Sequence, residues 1–187
     1  MSSTLHCLRV LELLAEDPFE LSLSALALRL GLPKSSTHRL CATLLEAGLI
    51  EQNPETRGYV LAAKALWIGS GYLRHSAVYR ASFFPMQDLA TRVTGTVQLG
   101  VLENGHVLFV HSVGDPGSLD AFADVGLRRS LHATASGKIF LAAMPWAEAE
   151  KILESGCERY TAKTISSAAL MKQEIAGIRQ KHYALNI

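Results

Sequence analysis

Residues 24–47 read SALALRLGLPKSSTHRLCATLLEA, and this stretch decides the architecture of the chain. Leu26 and Leu30, then Thr37, Leu40 and Leu44, recur at the three- and four-residue steps that give each of two helices one apolar face. Ser24 is a suitable N-cap for the first, because its hydroxyl can accept from an orphan backbone N–H of the first turn. Gly31 falls where a helix end favours φ > 0, and Pro33 prevents the first helix from continuing. A second helix is predicted to start at Lys34, with Ser35 and Ser36 in its first turn. Its outer face carries Lys34, Ser35, His38, Arg39 and Thr43. Short donors and cations at a helix start are what a recognition helix presents to phosphates and base edges. The pattern is a helix-turn-helix.

Many helix pairs around a glycine never touch nucleic acid, so charge has to discriminate. Between Leu21 and Leu45 there is no Asp or Glu, while Arg29, Lys34 and Arg39 supply cations. The flanks are acidic, with Glu16, Asp17 and Glu20 before and Glu46 and Glu51 after. A basic island in a chain of net charge +1 is an electrostatic footprint for a local polyanion contact. A merely solvated polar face does not require that contrast.

The remaining composition sets the frame. With 187 residues, 49% of them hydrophobic and 19% charged, the chain is globular in type and long enough for one domain or two small ones. No apolar run approaches the ~18 residues of a membrane span, since Lys64 interrupts the best candidate near Val60 to Leu73. The amino end lacks the basic region and apolar core of a signal peptide. Cys7, Cys41 and Cys157 lie far apart without a C-x-x-C, as buried thiols of a reducing, cytoplasmic compartment would.

Thr4 to Glu16 is predicted to be a helix buried over more than half its circumference, ended by Asp17-Pro18. After the recognition helix, Leu49–Gln52 and Gly58–Leu61 read as short strands around the turn cluster 53–57. A hairpin in that place is a wing, and Arg57 at its tip is the best cation for a phosphate. Ala62 to Leu73 and Ser76 to Val93 are helical in pattern, with Pro85 either kinking the second or starting a new helix. Trp67 and Ile68 have little to bury against in a small domain, which points to a partner subunit. From Thr96 the period becomes two. Strands 96–103 and 106–113 flank Asn104-Gly105, a strong hairpin signal, and a third strand is expected around Leu119 to Phe122. Residues 126–133 read as a loop feeding a helix that starts near Thr134 to Ser136, a terminus suited to an anion. Helices at Trp146 to Glu154 and Ser167 to Lys181 complete an α+β pattern. The expected domains are 1–61, a linker helix over 62–80, and 81–187.

The segments 31–40, 48–51, 59–61 and 131–138, in that order, resemble the IclR family of bacterial transcriptional regulators. The resemblance implies an N-terminal winged helix and a C-terminal GAF-like α/β effector-binding domain, in a cytoplasmic homodimer or dimer of dimers, often a repressor. It places Lys34, Ser35, Ser36, His38 and Arg39 on the recognition helix. It places Ala135 and Ser136 where backbone N–H groups meet an effector carboxylate, with the loop from Gly126 to Leu131 bordering the pocket. The family's effector domain continues beyond Ile187, and His182 stands where a Gly is usual. An incomplete pocket and an exposed sheet edge are therefore expected.

Enzymatic readings fare worse. Gly137-Lys138 lacks the first glycine and the final Ser or Thr of a phosphate loop, and the sequence 69–74 fails the dinucleotide fingerprint. There is no G-x-S-x-G or H-E-x-x-H. Neither a cofactor nor a metal is expected, because His106, His111 and His132 have no ligand spacing. Lys138 reads as a structural cation, and Ser136 has no evident base. Two functions remain. One is an effector-modulated regulator bound to a pseudo-palindromic duplex. The other is a metabolite-binding protein or small-molecule enzyme whose helix-turn-helix makes protein contacts only.

Overall fold

The computed structural model describes residues 2–114 and 125–186, which divide between two units, Met1–Ser76 and Ala77–Ile187. In the first unit, α1 (Ser3–Glu16) starts on Ser2, whose hydroxyl accepts from the Leu5 N–H. Only the stripe Val10, Leu13 and Leu14 is buried, while Leu5 and Leu8 remain half exposed. The expected burial over most of α1 is thus corrected: a unit this small offers the helix one apolar side.

Helix α2 (Leu23–Leu30) is capped by Ser22, whose Oγ accepts from Ala25 N–H at 3.2 Å. Ser24 is therefore not the N-cap. Starting two residues earlier brings Leu23 against the core. Gly31 closes the helix in the left-handed conformation (φ 65°, ψ 31°) as its position required, and its N–H reaches the Ala27 and Leu28 carbonyls. Helix α3 (Lys34–Glu46) follows directly. Thr37, fully buried, returns its hydroxyl to the Pro33 carbonyl at 3.2 Å.

Val10, Leu14, Leu26, Leu40, Cys41, Leu44, Ile50 and Tyr59 make the core that fixes α3 to the other elements. Burial pushes the Cys41 thiol up to about 11. The wing is β1 (Ile50–Gln52) paired antiparallel with β2 (Tyr59–Leu61). Leu21 adds a bridge to Tyr59, with each backbone N–H bonded to the other's carbonyl. Helix α4 (Ala63–His75) buries none of its residues, and Leu66 and Trp67 are 76% and 65% exposed.

In the second unit, α5 (Ala77–Arg92) runs through Pro85 as one helix. Strands β3 (Val97–Glu103) and β4 (His106–Val113) form the expected hairpin, with Asn104 and Gly105 both at positive φ. β5 (Arg128–Ser130) pairs with β4 at residues 106–108, giving the order β3-β4-β5. This corrects the expected loop at 126–133: its first part is extended because it completes a ladder. The strand expected around Leu119 to Phe122 lies outside the described residues.

A 3-10 turn (Leu131–Ala133) leads into α6 (Ala135–Ala143), followed by α7 (Trp146–Glu154) and α8 (Ala168–Lys181). Val107, Phe109, Leu131, Leu141, Leu153, Met171 and Ile175 form the core between sheet and helices. Among the described residues, no helix is long and apolar enough to cross a membrane.

Candidate functional site

The start of α3 is chemically open. Pro33, in the N-cap position, has no N–H and provides no side-chain cap. The first ladder bond runs from Thr37 N–H to the Pro33 carbonyl at 3.0 Å. The N–H groups of Lys34, Ser35 and Ser36 are therefore left outside the helix's own bonding. Lys34, Ser35, His38, Arg39 and Thr43 are exposed on one helix, as their spacing predicts, and Ser36 is exposed beside them. Thr43 gives its hydroxyl to the Arg39 carbonyl at 3.1 Å. The side chains of Lys34, His38 and Arg39 have no hydrogen-bond or ion-pair partner among the described residues.

Arg9, Lys64 and Arg29 of this unit are occupied. Arg9 spans Glu12 and Glu16 at 2.8 and 3.3 Å, and Lys64 Nζ donates to the Ala47 carbonyl at 2.7 Å. Arg29 sits 2.7 Å from Asp17 Oδ2 and, by that hydrogen bond, holds the Asp17 carboxyl below its ordinary range. Arg29 thereby leaves the basic island drawn from sequence. The acidic flank reaches back across the turn to neutralise it.

The wing tip is fixed by its own bonds. Asn53 Oδ1 accepts from Glu55 N–H at 2.9 Å, and Gly58 N–H donates to Thr56 Oγ1 at 3.2 Å. Gln52 Nε2 donates to the Arg57 carbonyl at 3.0 Å. Asn53 Nδ2 donates to Glu20 Oε2 at 3.0 Å, and a Cβ on Gly58 would come within 2.6 Å of Glu20 Cδ. Held this way, Arg57 takes φ 62°, uncommon for a side-chain-bearing residue, and its guanidinium is exposed. The role of Glu20 has no local signal, since its partner is 33 residues away.

The start of α6 is built differently. Thr134 caps it, accepting from Gly137 N–H at 3.0 Å, and Lys138 N–H bonds to the Thr134 carbonyl. That leaves the N–H groups of Ala135 and Ser136, both half-buried, outside the ladder. Leu131 is 2% exposed and belongs to the core, so only its backbone can border a site. Gly137 is pressed onto that backbone: a Cβ there would lie 2.2 Å from the Leu131 carbonyl oxygen. Buried Lys138 donates to the Leu185 carbonyl at 2.9 Å and lies 3.5 Å from Glu174 Oε1, a structural cation's environment.

The three histidines weighed as ligands have separate surroundings. His132 Nε2 is 2.8 Å from the Glu158 carbonyl, and His106 Nδ1 is 3.1 Å from the Asn104 carbonyl. His111 stacks on Phe83 and meets Tyr79 edge-on. Among the described residues no three His, Cys, Asp or Glu side chains are grouped to hold a metal.

A helix-turn-helix whose second helix opens on an exposed face free of acidic residues, followed by a hairpin, defines a winged-helix transcriptional regulator. The chain belongs to the IclR family: the IclR helix-turn-helix domain matches residues 3–54, and the bacterial transcriptional regulator IclR C-terminal domain matches 70–187. It is 33% identical over 178 residues to the glycerol operon regulatory protein of Streptomyces griseus, covering 95% of this chain and 70% of that one. It is 28% identical to the transcriptional repressor IclR of Escherichia coli, covering 96% and 66%. The chain spans between 60 and 74% of the length of such relatives. Among solved structures, an IclR regulator from Alicyclobacillus acidocaldarius superposes with TM-score 0.81 at 25% identity, covering 97% and 74%. An IclR homologue from Microbacterium hydrocarbonoxydans, complexed with 4-hydroxybenzoate, superposes with TM-score 0.73 at 28% identity, covering 96% and 75%.

Proposed function

We propose that this regulator binds a specific duplex through α3 and the wing, and that a small carboxylate at the start of α6 modulates the binding. The observation that carries the first half is the trio Lys34, His38 and Arg39, their side chains unpartnered among the described residues, on the exposed, acid-free first two turns of α3. Lys34, Ser35, Ser36, His38, Arg39 and Thr43 meet the groove and its edges, and Arg57 meets a flanking phosphate. Two copies joined in a homodimer place two such helices in successive major grooves, which makes the operator pseudo-palindromic. The exposed apolar face of α4 supports that pairing. As a DNA-bound regulator it works in the cytoplasm.

For the second half, the free N–H groups of Ala135 and Ser136 suit a carboxylate, and one solved relative carries 4-hydroxybenzoate. Such a ligand shifts operator binding only by as much as its affinities for two arrangements differ.

A salt series on duplex binding tests the proposal. Affinity should fall steeply with salt, and Arg39→Ala should lower the slope by about one. Absence of binding at low salt would instead favour a metabolite-binding role. A thermal-shift screen of small carboxylates, with Ser136→Pro as the variant lacking one donor, tests the effector site. A response unchanged in Ser136→Pro would move that site elsewhere.

A further inference from the structure

The first unit has a groove of about 360 Å³ between the start of α1 and α3, lined by Ser3, His6, Leu32, Ser36, Arg39, Leu40 and Thr43. No carboxylate lines it. Its floor is apolar, from Leu32 and the buried Leu40, and its rim carries hydroxyls and two basic side chains. The side chains of His6 and Arg39, residues that line it from different helices, have no hydrogen bond or ion pair among the described residues.

A duplex backbone alternates an apolar sugar with a phosphate, and protein groups that position on it supply donors and cations. From this we infer that the groove seats one sugar-phosphate unit of the bound duplex, with His6 and Ser3 of α1 joining Arg39 and Ser36 of α3 around its phosphate. The inference rests on the duplex-binding reading and extends it beyond the recognition helix and wing. It also adds a donor where a cation is tied up. Arg29 is tied to Asp17, and His6 brings a ring donor to α3 from a helix that the basic island did not include. An imidazole has a ring N–H to donate in either protonation state, so the contact does not depend on charge alone.

The test uses the full chain and a mixed-sequence 40-base-pair duplex, followed by fluorescence anisotropy from 50 to 200 mM salt. His6→Ala should weaken binding at 50 mM salt by roughly three- to tenfold, with thermal unfolding unchanged. His6→Arg should restore the affinity and steepen the salt dependence beyond wild type. Wild-type binding that is equally strong in His6→Ala overturns the groove contact and leaves duplex binding intact. So does a loss that His6→Arg fails to restore. A wild-type chain that does not bind at low salt overturns the duplex reading itself.

Discussion

Helices α3 and α6 both have serine and free backbone donors in the first turn, yet their surroundings differ. At α3 the proline in the cap position has no N–H and no capping side chain, and exposed Lys34, His38 and Arg39 surround the opening. At α6 the Thr134 hydroxyl has already taken the Gly137 N–H, and the neighbouring side chains are buried or half-buried. The only cation close in sequence, Lys138, points its ammonium at the Leu185 carbonyl. An open helix start flanked by mobile cations suits an extended polyanion and is weakened by salt. A half-capped start with two donors and little water around it suits one small carboxylate, whose hydrogen bonds gain strength from the low dielectric. What surrounds the same dipole decides which anion it suits.

The contrast breaks most severely at Gly137. Any Cβ there meets the Leu131 backbone at 2.2 Å, and backbone cannot turn aside as a side-chain tip can. Gly137→Ala should destabilise the second unit by about 3 kcal/mol, lowering its melting temperature by roughly 10 °C or more. The α3 face should keep its affinity for duplex. Calorimetry resolving two transitions, alongside anisotropy, checks both expectations. An unaltered second transition would mean that α6 does not depend on its close approach to the 3-10 turn.

The two units should also separate on acidification. His111 lies between Phe83 and Tyr79 with Nε2 buried and without a hydrogen-bond partner, and burial holds its pKa below the ordinary value of 6.5. The folded unit therefore prefers the neutral ring, while the unfolded chain takes up a proton once the pH falls below about 6.5. Its contribution is full above that pH and is lost as the pH falls toward the depressed value. In the first unit the shifted acid is Asp17, lowered chiefly by its hydrogen bond to Arg29. Asp17 favours folding above the ordinary carboxylate range, and that stability drains only as the pH falls through its lowered value. Between pH 7 and 5 the second unit should weaken while the Asp17–Arg29 contact holds. His111→Phe should flatten the decline in thermal scans. An unchanged pH profile in that variant would assign the effect to another group.

What was legible followed from periodicity and local chemistry. The faces of α2 and α3, the left-handed Gly31 and the Asn104-Gly105 hairpin are all set by residues within a few positions of one another. α7 and α8 fall where their patterns put them, within one residue. Features decided across the fold were not legible. Arg29 reads as a free cation in sequence, but Asp17, 12 positions earlier, holds it. Arg128 to Ser130 looked like loop because a three-residue strand shows almost no alternation, and only its partner β4 makes it one. Leu131 was drawn to the effector pocket by its place in a motif, whereas its side chain is needed in the core. His6 carries no signal in sequence, since apart from Ser3 its neighbours in the groove come from outside its own helix.

Two smaller changes sharpen the contrast from the open side. Arg57 sits at φ 62°, a conformation that glycine adopts without strain, so Arg57→Gly removes the wing's cation while relieving its backbone. Stability should stay within about 1 kcal/mol of wild type, because glycine's extra chain entropy offsets the relief. The salt slope for duplex binding should nonetheless fall by about one. A slope left intact would take the wing tip away from the phosphates.

Asp17→Asn works in the opposite direction and should have the smallest effect. The amide oxygen can still accept the Phe19 N–H that Asp17 now holds at 3.1 Å, so the turn after α1 survives. Arg29, no longer held by a charge, rejoins Lys34 and Arg39 as a mobile cation. Duplex affinity at low salt should rise by roughly two- to threefold, and the gain should vanish at high salt, where surface charges are screened. An affinity that does not move would place Arg29 too far from any phosphate for its charge to matter. The footprint would then end at the face formed by α3 and the wing.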